Sequence, residues 1–112
     1  MTLRDICCQT QATLVCGDLD RPLSGVYVGD LLSRAMSHVQ QDDLWVTIMS
    51  NVNVVAVASL TEPAAVLLAE DVVLQPEALQ GARENGITVL SSPLSAYEIC
   101  GRVHRILQET DA

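Results

Sequence analysis

The side chains able to do chemistry in this chain are few and scattered. Four cysteines stand at Cys7, Cys8, Cys16 and Cys100, and two histidines at His38 and His104. No pair of cysteines has C-x-x-C spacing, and a zinc site needs about four ligands at suitable spacing. No metal and no cofactor is therefore expected. All six basic residues are arginine, and lysine is absent. That removes a P-loop, whose lysine reaches the phosphates, and Schiff-base chemistry. Asp42-Asp43 resembles the acidic pair of a phosphoacceptor domain, but such domains also use a lysine across the site. The pair is expected to form a solvated turn before a strand. Arg21, Arg34 and Arg102 are isolated in sequence and form no phosphate cluster. No nucleophile–base pair is visible, so no catalytic residue is assigned and the chain is not expected to be an enzyme.

A second set of polar residues is more suggestive. Ser50, Asn51 and Asn53 lie in one short stretch, Glu70 and Asp71 in another, and Ser91 and Ser92 in a third. Each stretch follows an apolar run of strand length. Hydroxyls, amides and carboxylates at the ends of neighbouring strands are the material of a small-molecule site. Whether these three stretches meet depends on the elements that carry them.

The central ambiguity is the uncharged run Leu44 to Thr61, LWVTIMSNVNVVAVASLT. Six of its eighteen residues are Thr, Ser or Asn, and no Lys or Arg flanks it, so it does not read as a membrane span. Val52, Val54, Val55 and Val57 are β-formers, and local propensity favours a hairpin turning at Ser50-Asn51. Topology favours a helix. Residues 44–48 and 65–68 are continuous apolar runs, the signature of parallel strands buried on both faces. Joining such strands takes a crossover of about a dozen residues, usually helical. The reading adopted is a strand to about Ile48, a polar turn at Met49–Asn51 and a helix from about Asn53. Asn51 or Asn53 would cap it. Val54, Val57, Ala58 and Thr61 would share its inner face, with Ala56 small enough for close packing on the sheet.

The remaining elements follow from periodicity and punctuation. Thr2-Leu3-Arg4-Asp5 resembles a capping box before a helix over 3–9. Ala12–Cys16 and Gly25–Val28 read as strands. Asp30 is placed to cap a helix carrying Leu31, Leu32, Ala35, Met36 and Val39. Pro76 opens a helix with Leu79 and Ala82 inward, and Asn85-Gly86 closes it. Residues 87–90 form the last strand. Ser95-Ala96-Tyr97-Glu98 is a capping box before a helix whose stripe is Ala96, Ile99, Cys100, Val103, Ile106 and Leu107. Cys100 reads as core, and one of Cys7 and Cys8 as exposed. The expected fold is a small three-layer Rossmann-like α/β domain, one domain over 1–112, with a mainly parallel sheet of about five strands.

In open parallel sheets ligands bind beyond the carboxyl ends of the strands. Those ends are Met49-Ser50-Asn51, Ala69-Glu70-Asp71 and Ser91-Ser92. The tentative ligand-binding set is therefore Ser50, Asn51, Asn53, Glu70, Asp71, Ser91 and Ser92. A helix start near Asn53 would add free backbone N–H groups, a modest anion site. A net charge of −8 and a pI near 4.4 argue against nucleic-acid and anionic-membrane partners. The N-terminus shows no apolar region of the secretory type, and reduced cysteines in the cytoplasm are expected.

Several stretches match a known pattern. Tyr27-Val28-Gly29-Asp30-Leu31-Leu32-Ser33, then Leu44–Ile48, then Asn53–Ala58, then Gly86–Leu90 with Leu94–Glu98, resemble the DRTGG domain family over about residues 2–108. The resemblance implies a compact α/β module, similar in fold to the non-catalytic N-terminal domain of HPr kinase/phosphorylase. It implies a regulatory role, dimers, and kinship with small proteins that accompany iron-hydrogenase and redox genes. The chain departs from the pattern at the positions that name the family. Ser50-Asn51-Val52-Asn53 stands where many members carry Asp-Arg, and Leu68-Ala69-Glu70 where they carry Thr-Gly-Gly. The reading favoured is a non-catalytic regulatory module, homodimeric, binding a small metabolite or a partner enzyme. The alternatives are a redox-linked protein using Cys7, Cys8 or Cys16, and a small enzyme using Ser50, Asn51, Glu70 and Asp71.

Overall fold

The structure, a computed structural model, describes residues 2–111; positions 1 and 112 lie outside it. The element order is α1 (Leu3–Thr10), β1 (Thr13–Cys16), β2 (Gly25–Val28), α2 (Leu32–His38), β3 (Asp43–Thr47), α3 (Val52–Thr61), β4 (Ala65–Leu68), α4 (Pro76–Glu84), β5 (Val89–Ser91) and α5 (Ala96–Asp111). One five-stranded sheet has the order β1-β5-β4-β3-β2. Strands β2 to β5 are mutually parallel, and β1 joins β5 antiparallel. The result is a mainly parallel three-layer α/β fold, as the buried runs implied.

The uncharged run resolves as strand, turn and helix. Its strand β3 is buried at every position, Asp43 included. Asp43 is thus the first residue of the strand, not part of a solvated turn, and its carboxylate accepts the Gln40 N–H at 2.8 Å. Trp45 is fully buried and its indole N–H donates to the Gly29 carbonyl at 3.0 Å. Helix α3 then covers the valines that local propensity assigns to a strand. The crossover requirement outweighs propensity, because β3 and β4 pair parallel from Leu44–Ala65 to Thr47–Leu68. One expectation within α3 is corrected. Val55 is buried and Ala56 exposed. The inner stripe is Val54, Val55, Val57 and Ala58, and Val55 reaches α4 beside Gly81.

The two faces of the sheet are covered unequally. Side chains alternate, so Trp45, Val66, Leu68 and Val89 meet Ala35, Val54, Val57, Ala78 and Ala82 of α2, α3 and α4. Ala78, with Leu79 half-buried, takes the inward place expected of Leu79. The other set, Leu44, Val46, Leu67 and Leu90, meets Leu3, Ile6, Ile99 and Val103 of α1 and α5. Each fully buried aliphatic side chain contributes about 1.5–3 kcal/mol. The three crossovers share one face because successive parallel strands are laid down in one direction with one handedness. Only the two terminal helices are left for the opposite face.

Helix ends follow the sequence signals with one exception. Ser95 accepts the Glu98 N–H at 3.2 Å, and Asp5 accepts the Thr2 N–H at 3.0 Å. At the end of α4, Gly86 takes φ +66, Ile87 N–H donates to Ala82 O and Gly86 N–H to Arg83 O. This is a Schellman closure. The exception is Asp30. The N-cap of α2 is Leu31 and no side chain caps it, because Asp30 is engaged elsewhere.

Candidate functional site

The carboxyl ends of β2, β3, β4 and β5 lie along one edge of the sheet, since these strands are parallel and adjacent. That edge collects Ser50, Asn51 and Asn53 after β3, Glu70 and Asp71 after β4, and Ser91 and Ser92 at the end of β5. The three stretches singled out in the sequence are thus brought together. Asp30, after β2, joins them.

Asp30 was read as a helix cap and instead clamps two strand ends. Its Oδ1 accepts the Thr47 hydroxyl at 2.6 Å and the Ile48 N–H at 3.0 Å. The Thr47 hydroxyl in turn accepts the Met49 N–H at 3.2 Å. Thr47 is 2% exposed. The clamp sets the path of Met49, Ser50 and Asn51 off the end of β3. Its signal in the sequence was a polar residue closing an apolar strand, together with an Asp just past a parallel one.

Asn51 is the N-cap of α3, with Oδ1 accepting the Asn53 N–H at 3.0 Å. The Val54 N–H is taken by the Asn51 carbonyl at 3.1 Å. The free donors expected near Asn53 are therefore reduced to the Val52 N–H, and the anion site shrinks accordingly. The Ser50 carbonyl accepts the Gln75 N–H at 3.0 Å, which ties this turn to the start of α4. Ser50 and Asn51 are half-buried and Asn53 is exposed. Among the described residues, the Ser50 hydroxyl and the side-chain amides of Asn51 and Asn53 donate to no protein group.

Between β4 and β5 the connections part. The chain after β4 passes to α4 on one face, and the chain after β5 to α5 on the other. Such a parting opens the crevice in which α/β sheets bind ligands. Here two backbone bonds lace it: Glu70 N–H to Leu94 O at 2.9 Å and Asp71 N–H to Ser92 O at 3.0 Å. Both donors are available because Glu70 and Asp71 adopt the left-handed conformation, φ +59 and +58. Their exposed side chains place two carboxylates at the mouth of the laced crevice. Ser92 is fully buried, and its hydroxyl donates to the Thr10 carbonyl at 2.7 Å and accepts the Leu94 N–H at 3.1 Å. It holds α1 against the β5 end and presents no surface. Ser91 is half-buried beside it.

The arrangement has hydroxyl and amide groups on the β3 side and three carboxylates, Asp30, Glu70 and Asp71, around them. Neither histidine joins it. Helix α2 starts at this edge and runs away from it, so His38 at its far end bonds the Arg34 carbonyl and stacks on Tyr27, centroids 6.1 Å apart. His104 stands on α5 beside β2. No group of three or more His, Cys, Asp or Glu able to hold a metal is found among the described residues.

The cysteines are dispersed. Cys16 is buried and its thiol lies 3.4 Å from the Ile87 carbonyl as donor. Burial pushes the thiols of Cys7, Cys16 and Cys100 up, and the neighbouring Cys8 pushes Cys7 further. Cys7 and Cys100 are half-buried and Cys8 is exposed.

With the fold and edge described, the chain can be placed among known proteins. The family model of the DRTGG domain matches residues 5–106. The chain belongs to the DRTGG domain family. Among solved structures, this DRTGG domain is similar to the CBS and DRTGG domains of the regulatory region of Clostridium perfringens pyrophosphatase, a structure complexed with the activator diadenosine tetraphosphate. The TM-score is 0.74 at 15% identity, over 91% of this chain and 45% of that one. At that identity the likeness establishes the fold. The chain spans less than half of that regulatory region. No curated protein matches it. No helix among the described residues is long and apolar enough to cross a membrane.

Proposed function

We propose that this DRTGG domain is a non-catalytic regulatory module that binds a small molecule at the carboxyl edge of its parallel strands. In this reading it acts as a homodimer and transmits occupancy to a partner enzyme. The observation that supports the reading is the shared carboxyl edge carrying Ser50, Asn51 and Asn53 after β3, next to Glu70, Asp71 and Ser91 at the parting of the β4 and β5 connections. Membership in a family found in a regulatory region supports it. Ser92 serves by holding the edge in place.

Electrostatics narrows the ligand. Diadenosine tetraphosphate, present with the Clostridium perfringens relative, is a polyanion. The edge here carries Asp30, Glu70 and Asp71, and the first turn of α3 offers one free N–H. Like charges repel, and the Asn51 and Asn53 side-chain amides are the remaining attraction. The ligand proposed is therefore an uncharged or cationic small molecule able to accept from the Asn51 and Asn53 amides and donate to the carboxylates.

The test is a thermal-shift and calorimetric screen against neutral, cationic and nucleotide metabolites. A binder from the first two groups is expected, with affinity lost in Asn53→Ala. That side chain makes no protein bond among the described residues, so the fold is untouched. Tight binding confined to nucleotides would overturn the ligand class, and binding unaffected by Asn53→Ala and Glu70→Gln would overturn the site. A link of this regulatory module to hydrogenase or redox metabolism is part of the same proposal, whereas the redox alternative using Cys7, Cys8 or Cys16 needs thiolates close together. The raised Cys7, Cys16 and Cys100 thiols and the burial of Cys16 weigh against it.

A further inference from the structure

The α1/α5 face of the sheet has a bare margin. Helices α2, α3 and α4 cover the opposite face, whereas α1 and α5 alone cover this one, and α5 leaves the outer strand β2 partly open. A cavity of about 360 Å³ runs between them, lined by Val26, Val28, Cys100, His104 and Leu107. Val28 is 47% exposed at its end.

Helix α5 is divided lengthwise along this trough. At helical spacing, Tyr97, Cys100, His104 and Leu107 share the flank toward β2, and none is Asp, Glu, Lys or Arg. The charged residues of 96–109, Glu98, Arg102, Arg105 and Glu109, fall on the other flank. Tyr97 is 89% exposed.

The two free sheet edges also differ. At the β1 edge the strand is irregular, with a register shift between Leu14 and Cys16, a feature that blunts edge pairing. The β2 edge, Gly25-Val26-Tyr27-Val28, is regular in register with β3 and carries no charge, proline or bulge. Its outward backbone groups form no further bond among the described residues.

We infer that the β2 edge and the adjoining α5 trough form the surface on which a second copy of this chain docks, β2 against β2 across a two-fold axis. The occupant follows from charge and symmetry. Two chains of net charge −8 repel wherever their acidic surfaces meet, and this strip carries no carboxylate along either β2 or the α5 flank. An identical edge supplies the complementary row of N–H and C=O groups by self-pairing. A two-fold through Tyr27 sets Val26 opposite Val28 of the second copy on the α5 side. The two α5 flanks then close over the seam, the exposed Tyr97 rings included. Four-residue strand pairing is too small alone for a stable interface of about 1,200 Å² or more, so the α5 flanks take part in the contact as well.

This inference rests on the homodimeric part of the function proposed above and is separable from its ligand-binding part. Sedimentation equilibrium over a concentration series is the experiment. The full chain is expected to be dimeric at micromolar concentration. Val28→Asp sets two charges in the seam, and His104→Glu, at an exposed position lining the trough, sets two on the α5 flanks without disturbing the core. Each is expected to weaken the dimer tenfold or more, with Leu60→Asp on the exposed back of α3 leaving it unchanged. A monomeric wild type overturns the homodimer and this surface together. A dimer indifferent to Val28→Asp and His104→Glu, or one broken by Leu60→Asp, overturns the surface alone. Ligand binding measured on the same samples reports separately on the strand-edge site.

Discussion

Replacing Thr47 by valine keeps the shape of the side chain and removes one oxygen. That oxygen donates to Asp30 Oδ1 at 2.6 Å and accepts the Met49 N–H at 3.2 Å, in a residue 2% exposed. A hydrogen bond to a charged group contributes about 1.5–3 kcal/mol. Asp30 is exposed and regains water, which places this bond near the lower end. Leaving the half-buried Met49 N–H unpaired adds about 1 kcal/mol. Thr47→Val is thus expected to destabilise by about 2–3 kcal/mol, a fall in Tm of about 8–12 °C for a chain of this size. Urea denaturation of Thr47→Val, Asp30→Ala and the double variant completes a cycle, with a coupling of about 1.5 kcal/mol expected. A loss below about 0.5 kcal/mol, or strictly additive singles, would refute the clamp as the link between the β2 and β3 ends. The same variants should blur the positions of Ser50 and Asn51 and so weaken ligand binding.

Ser92→Ala deletes a buried hydroxyl bonded to Thr10 O and Leu94 N–H and should cost about 2 kcal/mol, read from the urea midpoint. Glu70→Gly should stabilise by about 0.5–1 kcal/mol in calorimetry, because relief of a left-handed β-carbon exceeds the added chain entropy; Asp71→Gly should gain less, since Asp tolerates that conformation better. Burial raises the Cys7, Cys16 and Cys100 thiols in the folded chain. Their contribution is then complete below the unfolded thiol value, about 8.5, and is lost as pH climbs through the raised folded values. Urea midpoints measured in reductant should accordingly hold from neutral pH upward and decline in the alkaline range. In native protein a thiol reagent should label exposed Cys8 first and buried Cys16 last, resolved by mass spectrometry.

The layers were legible in the sequence because parallel strands leave an unambiguous mark. Residues 44–48 and 65–68 have no polar alternation, which only burial on both faces explains, and the interval between them had to be a crossover. The helical face of α3 was harder. A segment apolar on nearly every side does not say which residues face inward, and Ala56 and Val55 exchanged places. The polar strand ends were visible as residue types, and parallel topology was enough to gather them. Asp30 was missed because an Asp before a helix has two uses, capping and clamping. The choice depends on Thr47, seventeen positions away. The lacing of Glu70 and Asp71 onto residues 92–94 was out of reach for a related reason. It depends on left-handed backbone at two non-glycine residues, which sequence propensity disfavours and tertiary bonding imposes.

The most direct measurement is a ¹⁵N–¹H NMR titration of the full chain with the best uncharged or cationic binder from the metabolite screen. Amide shifts are expected to cluster at Ser50, Asn51, Asn53, Glu70, Asp71 and Ser91, and to vanish in Asn53→Ala. Shifts that gather instead in the cleft of Gln9, Arg102 and Arg105 on the outer side of α5, or that leave the strand ends still at saturation, would contradict a regulatory site at the carboxyl edge of the sheet.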